Sequence, residues 1–245
     1  MTPYYQDDLI TLYLADCLPA MREMPDKAFE LSVVDVPYGI GESMNDNAGR
    51  GKGRGGLKGS ALAYAKDYGR KDWDKSPPPL QYFKELLRVS KNQIIWGANH
   101  FIDQMPVPSP CWIVWDKVNY GNDFADCELA WTSFRTAVRQ ITFQWNGLLQ
   151  GDMKNKEIRI HQTQKPVALY RWLLKNYAKP GDTILDTHLG SGSIAIACHD
   201  LGFKLTGFEI DEEYLSAAVD RIKRYLRQPK MFKPVVVQPE QESFL

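Results

Sequence analysis

Thr183-Ile-Leu-Asp-Thr-His-Leu-Gly-Ser-Gly-Ser-Ile-Ala-Ile-Ala197 is the stretch whose reading decides the fold. Thr183 to Leu185 is short, apolar and β-branched and follows the turn pair Pro180-Gly181, so it reads as a buried strand. From Ser191 onward the small and apolar residues have the spacing of a helix. Gly190 and Gly192 stand at the turn between the two, where glycine adopts backbone angles other residues avoid and lets a ligand approach the main chain. The free N–H groups that open the following helix favour electronegative ligand atoms. Strand, glycine turn and helix in this order form a nucleotide-cofactor loop in an open α/β sheet.

Two readings of the loop follow. Gly190-Ser-Gly192-Ser-Ile-Ala195 fits the G-x-G-x-x-G/A dinucleotide fingerprint, and Glu209 ends the next strand, Leu205 to Phe208, where a ribose-binding acid would stand. An NAD-dependent oxidoreductase is therefore one reading. It needs a second βαβ half downstream, yet only one strand and one helix fit between Gly192 and the tail unless the fold is permuted.

The surrounding residues carry the other reading. Asp186-Thr-His-Leu-Gly-Ser-Gly-Ser resembles the D-P-F-x-G-S-G-T cofactor loop of the amino-methylating DNA methyltransferases, the adenine-N6 and cytosine-N4 family. Asp35-Val-Pro-Tyr38 resembles their D-P-P-Y catalytic tetrapeptide, and His161-Gln-Thr-Gln-Lys-Pro166 resembles their H-P-T-Q-K-P element. Tetrapeptide first and cofactor loop last is the circularly permuted order of the β class, and the resemblance runs from about Leu12 to Arg224.

The resemblance implies an open, mostly parallel, seven-stranded Rossmann-like sheet that uses S-adenosylmethionine, with double-stranded DNA as substrate and no metal. Asp35, Val36, Pro37 and Tyr38 would be catalytic. Asp186, His188, Gly190, Ser191 and Gly192 would form the cofactor loop, with Glu209 on the ribose hydroxyls. Asp16 and Cys17 would lie near the adenine, and Thr163, Gln164 and Lys165 near the methionine part. Asp16 suits equally well the N-cap of the helix it precedes. Val36 and Gln162 each replace a proline of the family pattern. Asp35 favours adenine N6, because cytosine-N4 members usually carry Ser there. Cytosine-N4 transfer and a catalytically silent homologue are the alternatives, and a homodimer and a cognate restriction endonuclease are partners the resemblance leaves open.

Composition sets outer bounds. At 245 residues with 44% hydrophobic content the chain suits one domain, 1–245. Thirty Lys and Arg balance thirty Asp and Glu, so a nucleic-acid surface must come from local clustering. The four cysteines are scattered, suggesting neither zinc site nor disulfide framework and fitting a reducing cytoplasm. No apolar run approaches the roughly 20 residues of a membrane span, and the first residues lack signal-peptide character.

Strands are expected at 10–15, 31–35, 93–97, 111–115 and 127–131 in addition to the two around the cofactor loop. Helices are expected at about 18–24, 80–89, 167–177 and 212–226, with a short one near 99–104. Asn99-His100 and Asp116-Lys117 fall at strand exits but read as structural. The basic end of the last helix, Arg221, Lys223, Arg224 and Arg227, suits a helix C-terminus. Residues 45–79 form a long Gly-rich loop, and from Arg50 to Lys75 eight Lys or Arg face three Asp among aromatics. That composition suits either phosphate contact with base stacking or a solvated mobile loop. The resemblance implies a short target-recognition insertion at residues 132–160, and a hairpin covering the sheet edge is equally compatible with the sequence.

Overall fold

The computed structural model describes residues 1–41, 71, 73–105, 107–121, 125–146 and 149–228. Most of the 45–79 loop, at 45–70 and 72, and the tail from Pro229 onward lie outside them.

The strands are β1 (Tyr5–Gln6), β2 (Ile10–Leu14), β3 (Phe29–Asp35), β4 (Ser90–Trp96), β5 (Trp112–Asp116), β6 (Cys127–Thr132), β7 (Arg139–Thr142), β8 (Trp145–Asn146), β9 (Leu149–Gln150), β10 (Thr183–Asp186) and β11 (Lys204–Glu209). The helices are α1 (Cys17–Glu23), α2 (Leu80–Val89), α3 (Val167–Tyr177), α4 (Ser193–Leu201) and α5 (Glu212–Leu226). One nine-stranded sheet runs β1-β2-β11-β10-β3-β4-β6-β5-β7, and β8 and β9 form a separate hairpin. The seven expected strands form its body. Two short edge strands, β1 and β7, extend it beyond seven, because each finds a free ladder edge without needing an apolar run of its own.

β2, β11, β10, β3 and β4 are mutually parallel, whereas β6 runs against both β4 and β5. A parallel sheet is buried on both faces, and its strands alternate between two cores. Leu31, Val33, Ile94, Trp96, Ile184 and Leu205 pack under α3, α4 and α5. Val34, Ile95, Leu185 and Phe208 point the other way, against α1, α2 and the turn at Phe101. Among the described residues no helix is long and apolar enough to cross a membrane.

Helix ends follow local chemistry. The Asp211 carboxylate accepts from the Glu213 and Tyr214 N–H groups and starts α5, whose first turn is acidic and last turn basic, in accord with the helix dipole. Gly202 closes α4 at a φ of 76°. No side chain of its own caps α3 at Pro166; the Val167 N–H donates instead to Glu157 Oε1 at 2.9 Å.

The parallel run brings the ends of β2, β11, β10, β3 and β4 to one edge. β5 ends at that edge too, and the antiparallel β6 begins there, with Trp115 opposite Glu128. Ligands of open α/β sheets bind at such an edge.

Candidate active site

β10 leads into the glycine turn, where Gly190 has φ 51° and Gly192 has φ 69°. A side chain at Gly192 would press on Ala218 of α5 at 3.2 Å, so glycine allows both the left-handed turn and close helix packing. Glu209, at the end of the adjacent β11, accepts the Gly190 N–H on Oε2 at 2.8 Å. Its other oxygen takes the N–H groups of Ile210 and Asp211 at 2.9 and 3.0 Å. Each carboxylate oxygen can accept more than one bond, so Glu209 is held rigidly with acceptor capacity to spare. Burial raises its pKa, against those three donors.

Beside the turn, Asp16, Cys17, Pro37, Pro77, Pro78, Pro79, Tyr82 and His188 wall a cavity of about 320 Å³. Asp16 lines this cavity while accepting the Leu18 N–H at 2.9 Å as N-cap of α1. His188 is neutral, its pKa lowered to about 4 by burial. Thr187 Oγ1 lies 2.6 Å from the Tyr82 hydroxyl and 2.9 Å from His188 Nδ1, which ties the cavity floor to α2. Apolar plates, an imidazole and a carboxylate at the rim form a pocket that could hold a planar heterocycle with ribose reaching Glu209. Asp186 Oδ1 accepts the His188 N–H at 3.0 Å, and burial pushes the carboxyl up to about 8.

The Pro77 wall belongs to the described end of the basic segment. The Asp74 carboxylate is buried and accepts the Gly39 N–H at 2.8 Å, pinning the turn after Tyr38. Lys71 pairs with Asp211 and Glu213 at 2.8 and 2.5 Å. Trp73 packs on His161 with ring centroids 5.2 Å apart. This part of the loop packs against the sheet edge, not out in solvent.

Asp35, Val36, Pro37 and Tyr38 form the exit of β3, one strand over from Asp186. Val36 is buried and its side chain fills the core on the α1 and α2 face, while Pro37 faces the cavity. The Tyr38 hydroxyl donates to Asp35 Oδ1 at 2.8 Å, and its ring stacks on His100 at 5.1 Å. Gly97, at φ 72°, lies so close that a Cβ there would come within 2.0 Å of the Tyr38 ring.

The expected cofactor residues Thr163, Gln164 and Lys165 divide. Thr163 donates its N–H to His161 Nδ1 at 3.3 Å, and that neutral imidazole, pKa lowered to about 4 by burial, sits against Gly190. Gln164 Oε1 accepts the Ile160 N–H, and its carbonyl takes the Trp145 indole N–H at 2.8 Å. The Lys165 carbonyl accepts from Ser193 Oγ at 2.7 Å, but its ammonium goes elsewhere. It lies 2.5 Å from Asp35 Oδ1, 3.0 Å from the Tyr38 hydroxyl and 3.1 Å from Glu128 Oε2. Lys117 Nζ meets the other Glu128 oxygen at 3.1 Å.

Glu128, Lys117 and His100 thus join the Asp35–Tyr38 tetrapeptide, though sequence reading left them in strands and turns. Arg221 is a further surprise, because it points inward from α5. It donates to the Ser191 carbonyl at 2.7 Å and Ser193 Oγ at 2.9 Å and pairs with Glu157 at 2.5 Å. The cofactor loop is therefore tied to the last residues of the 132–160 segment. That segment also supplies β7, a single strand parallel to β5 at the sheet edge, while its hairpin β8-β9 stands apart from the sheet.

Residues 95–220 match the model of a family described as DNA methylase, N6_N4_Mtase. The Type II methyltransferase M.ScaI of Streptomyces caespitosus is 24% identical over 90% of this chain and 84% of its own length. The Type II methyltransferase M.HinfI of Haemophilus influenzae is 22% identical over 91% of this chain and 71% of its own. Among solved structures, the M1.HpyAVI–SAM complex aligns over 87% of this chain and all of its own with TM-score 0.52 and 19% identity. The cytosine-N4-specific PvuII DNA methyltransferase aligns over 91% and 92% with TM-score 0.55 and 14% identity.

Proposed function

The chain belongs to the N6/N4 DNA methylase family, and we infer that it moves a methyl group from S-adenosylmethionine to the exocyclic N6 amine of an adenine rotated out of duplex DNA. The observation that carries this is the placement of Asp35 and Tyr38 one strand from the Gly190 turn and two from Glu209, on the same sheet edge. β2 lies beside β11, so the N-terminal and C-terminal strands meet in the sheet, which supports the permuted order.

The bound cofactor would supply an electrophilic methyl on a sulfonium. The residues of this chain do the rest. Asp16, the proline wall and Tyr82 accept its adenine, and Glu209 holds the ribose hydroxyls with two oxygens already oriented by backbone donors. The amide groups of the Gly190 turn and neutral His161 flank its amino-acid end. At the other side, an amine conjugated to a purine ring is a weak nucleophile. N–H bonds to the Asp35 carboxylate and the Val36 carbonyl draw it toward tetrahedral geometry. Pro37 keeps Val36 extended, which orients that carbonyl. Tyr38 provides the stacking surface, its ring exchanging His100 for the base. Rotating the base out costs a few kcal/mol, and orientation at about 3 to 3.5 Å is where the rate is gained.

The acid in the first tetrapeptide position favours adenine over cytosine. Methylated duplex DNA, digested to nucleosides and separated by mass, should yield N6-methyladenine that vanishes in Asp35→Ala. N4-methylcytosine would overturn the base choice, and an absence of either product despite tight cofactor binding would favour a silent homologue.

A further inference from the structure

Four charged groups, Asp35, Lys165, Glu128 and Lys117, meet beside Tyr38, and the family pattern supplies two of them. The Lys165 ammonium is almost wholly buried, with 4% of its side chain exposed, and bridges Asp35 of β3 to Glu128 of β6. Burying an ammonium is costly unless it is paired on every side, and here it has two carboxylates, a phenol oxygen and the Trp96 ring at 5.5 Å. Among the described residues, both the Tyr38 and the Lys165 contacts of Asp35 fall on Oδ1.

Resting on the methyl-transfer reading above, we propose that Lys165, steadied by Glu128, is a positioning residue for the reaction: it grips Oδ1 of Asp35 and leaves Oδ2 to accept the amine N–H. An acceptor must carry its lone pairs to the base, so Asp35 has to remain a carboxylate. Burial, with the nearby Glu128 charge, raises the Asp35 pKa above the usual carboxylate range, and the Lys165 charge opposes that rise. Two carboxylates at close quarters without a cation share one proton. Glu128 would keep its Lys117 partner at 3.1 Å while Asp35 would keep no cation in contact, so the proton would fall on Asp35. A protonated Asp35 has a donor where the amine needs an acceptor.

The groups facing Asp35 are Lys165 from the segment before α3, Glu128 from β6, Tyr38 from its own loop and Asp186 from β10. Lys117 acts through Glu128, and Tyr170 of α3 faces both Asp35 and Tyr38. Lys165→Met removes the only one of these cations that touches Asp35. Glu128→Gln keeps the shape of β6 and removes a repelling charge.

The test reads Asp35 directly, then the rate. In protein carrying ¹³C-carboxyl aspartate, the Asp35 signal is identified by its loss in Asp35→Asn and titrated by NMR. Lys165→Met should raise its pKa by more than one unit, and Glu128→Gln should lower it. In single-turnover methylation at pH 7, Lys165→Met should lose about a hundredfold, the size expected for losing one preorganised electrostatic contact. Its residual rate should rise with pH up to the shifted pKa, while the wild-type rate stays flat from pH 7 to 9 and Lys165→Arg restores that flatness. Affinity for S-adenosylmethionine should change less than threefold.

Identical Asp35 titrations in wild type and Lys165→Met would overturn the proposal, as would a slowed rate with an unchanged pH profile or a parallel fall in cofactor affinity. If Lys165→Met does not fold, the downward shift in Glu128→Gln decides, and no shift there overturns it. A wild-type protein with ionised Asp35 that methylates no DNA would instead sink the methyl-transfer reading.

Discussion

The two ends of the site are built on opposite plans. The end at the Gly190 turn is local: strand β10, the turn, α4 and β11 follow one another in the chain, and most of its polar contacts run between backbone N–H groups and the carboxylates of Glu209 and Asp186. The end at Tyr38 is assembled from remote pieces, with Asp35, Glu128 and Lys165 arriving on separate segments and meeting through side chains alone. Backbone-built sites tolerate drift in side-chain identity, which is how Thr187 and His188 can stand where the family pattern has Pro and Phe. A side-chain cluster tolerates little, because each member is buried with the others' charge.

Mutations should expose this difference. The largest effect is expected at the side-chain end, where Asp35→Ala removes the acceptor for the amine and should slow methyl transfer by about a thousandfold with cofactor affinity intact. Calorimetry beside single-turnover kinetics checks the split; a parallel loss of affinity would erase the distinction between the two ends.

Gly97→Ala comes next. The new methyl cannot coexist with the present Tyr38 ring position, so the ring must move, and misplacement of an ångström should cut the rate about a hundredfold. The accompanying fluorescence or near-UV change from Tyr38 should be absent in a Gly97→Ala, Tyr38→Ala double variant.

At the cofactor end, Glu209→Ala should weaken S-adenosylmethionine binding by about 1.5 to 3 kcal/mol, the range for hydrogen bonds to a charged group. It also strips acceptors from the Gly190, Ile210 and Asp211 N–H groups, so a thermal melt should show a loss as well. Unchanged affinity would remove Glu209 from the ribose.

The smallest effect is a pH dependence. With its pKa raised to about 8, Asp186 holds a proton at pH 7, and a cationic cofactor favours the ionised form. Binding near pH 7 should therefore release a proton, and affinity should rise with pH toward 8 by less than about tenfold, then level off. Calorimetry in two buffers of different ionisation enthalpy reads the release; none in wild type, or the same release in Asp186→Asn, would contradict it.

The contrast also explains what could be read from the sequence. The bounds of α2, α3 and α5 are legible because Pro79, Pro166 and Asp211 mark their starts and the apolar spacing marks their faces. The cofactor loop is legible because its residues are contiguous. β1 and β7 are not, since Tyr5-Gln6 and Arg139-Gln-Ile-Thr142 carry no apolar run and exist only as guests of β2 and β5. Glu128 looks like one acid in an apolar strand, and nothing near it in the chain names Lys165 as its partner. Arg221 was within reach, because Tyr214, Ala218 and Arg221 share one helical stripe that is otherwise buried. Reading it as part of a basic helix end missed that it faces inward.

Glu157 sets a boundary for any exchange of the 132–160 segment with that of a relative. That residue lies inside the exchanged piece, yet it anchors Arg221 under the Gly190 turn and supplies the missing cap of α3. Gln150 holds it in place, donating to the Glu157 carbonyl at 2.9 Å and accepting its N–H at 2.7 Å. A graft cut at 160 would import a foreign residue at that junction and leave a guanidinium stranded in the interior. A graft cut between Thr142 and Gln150 would keep the native anchor, so the exchangeable module ends earlier than the element boundaries suggest.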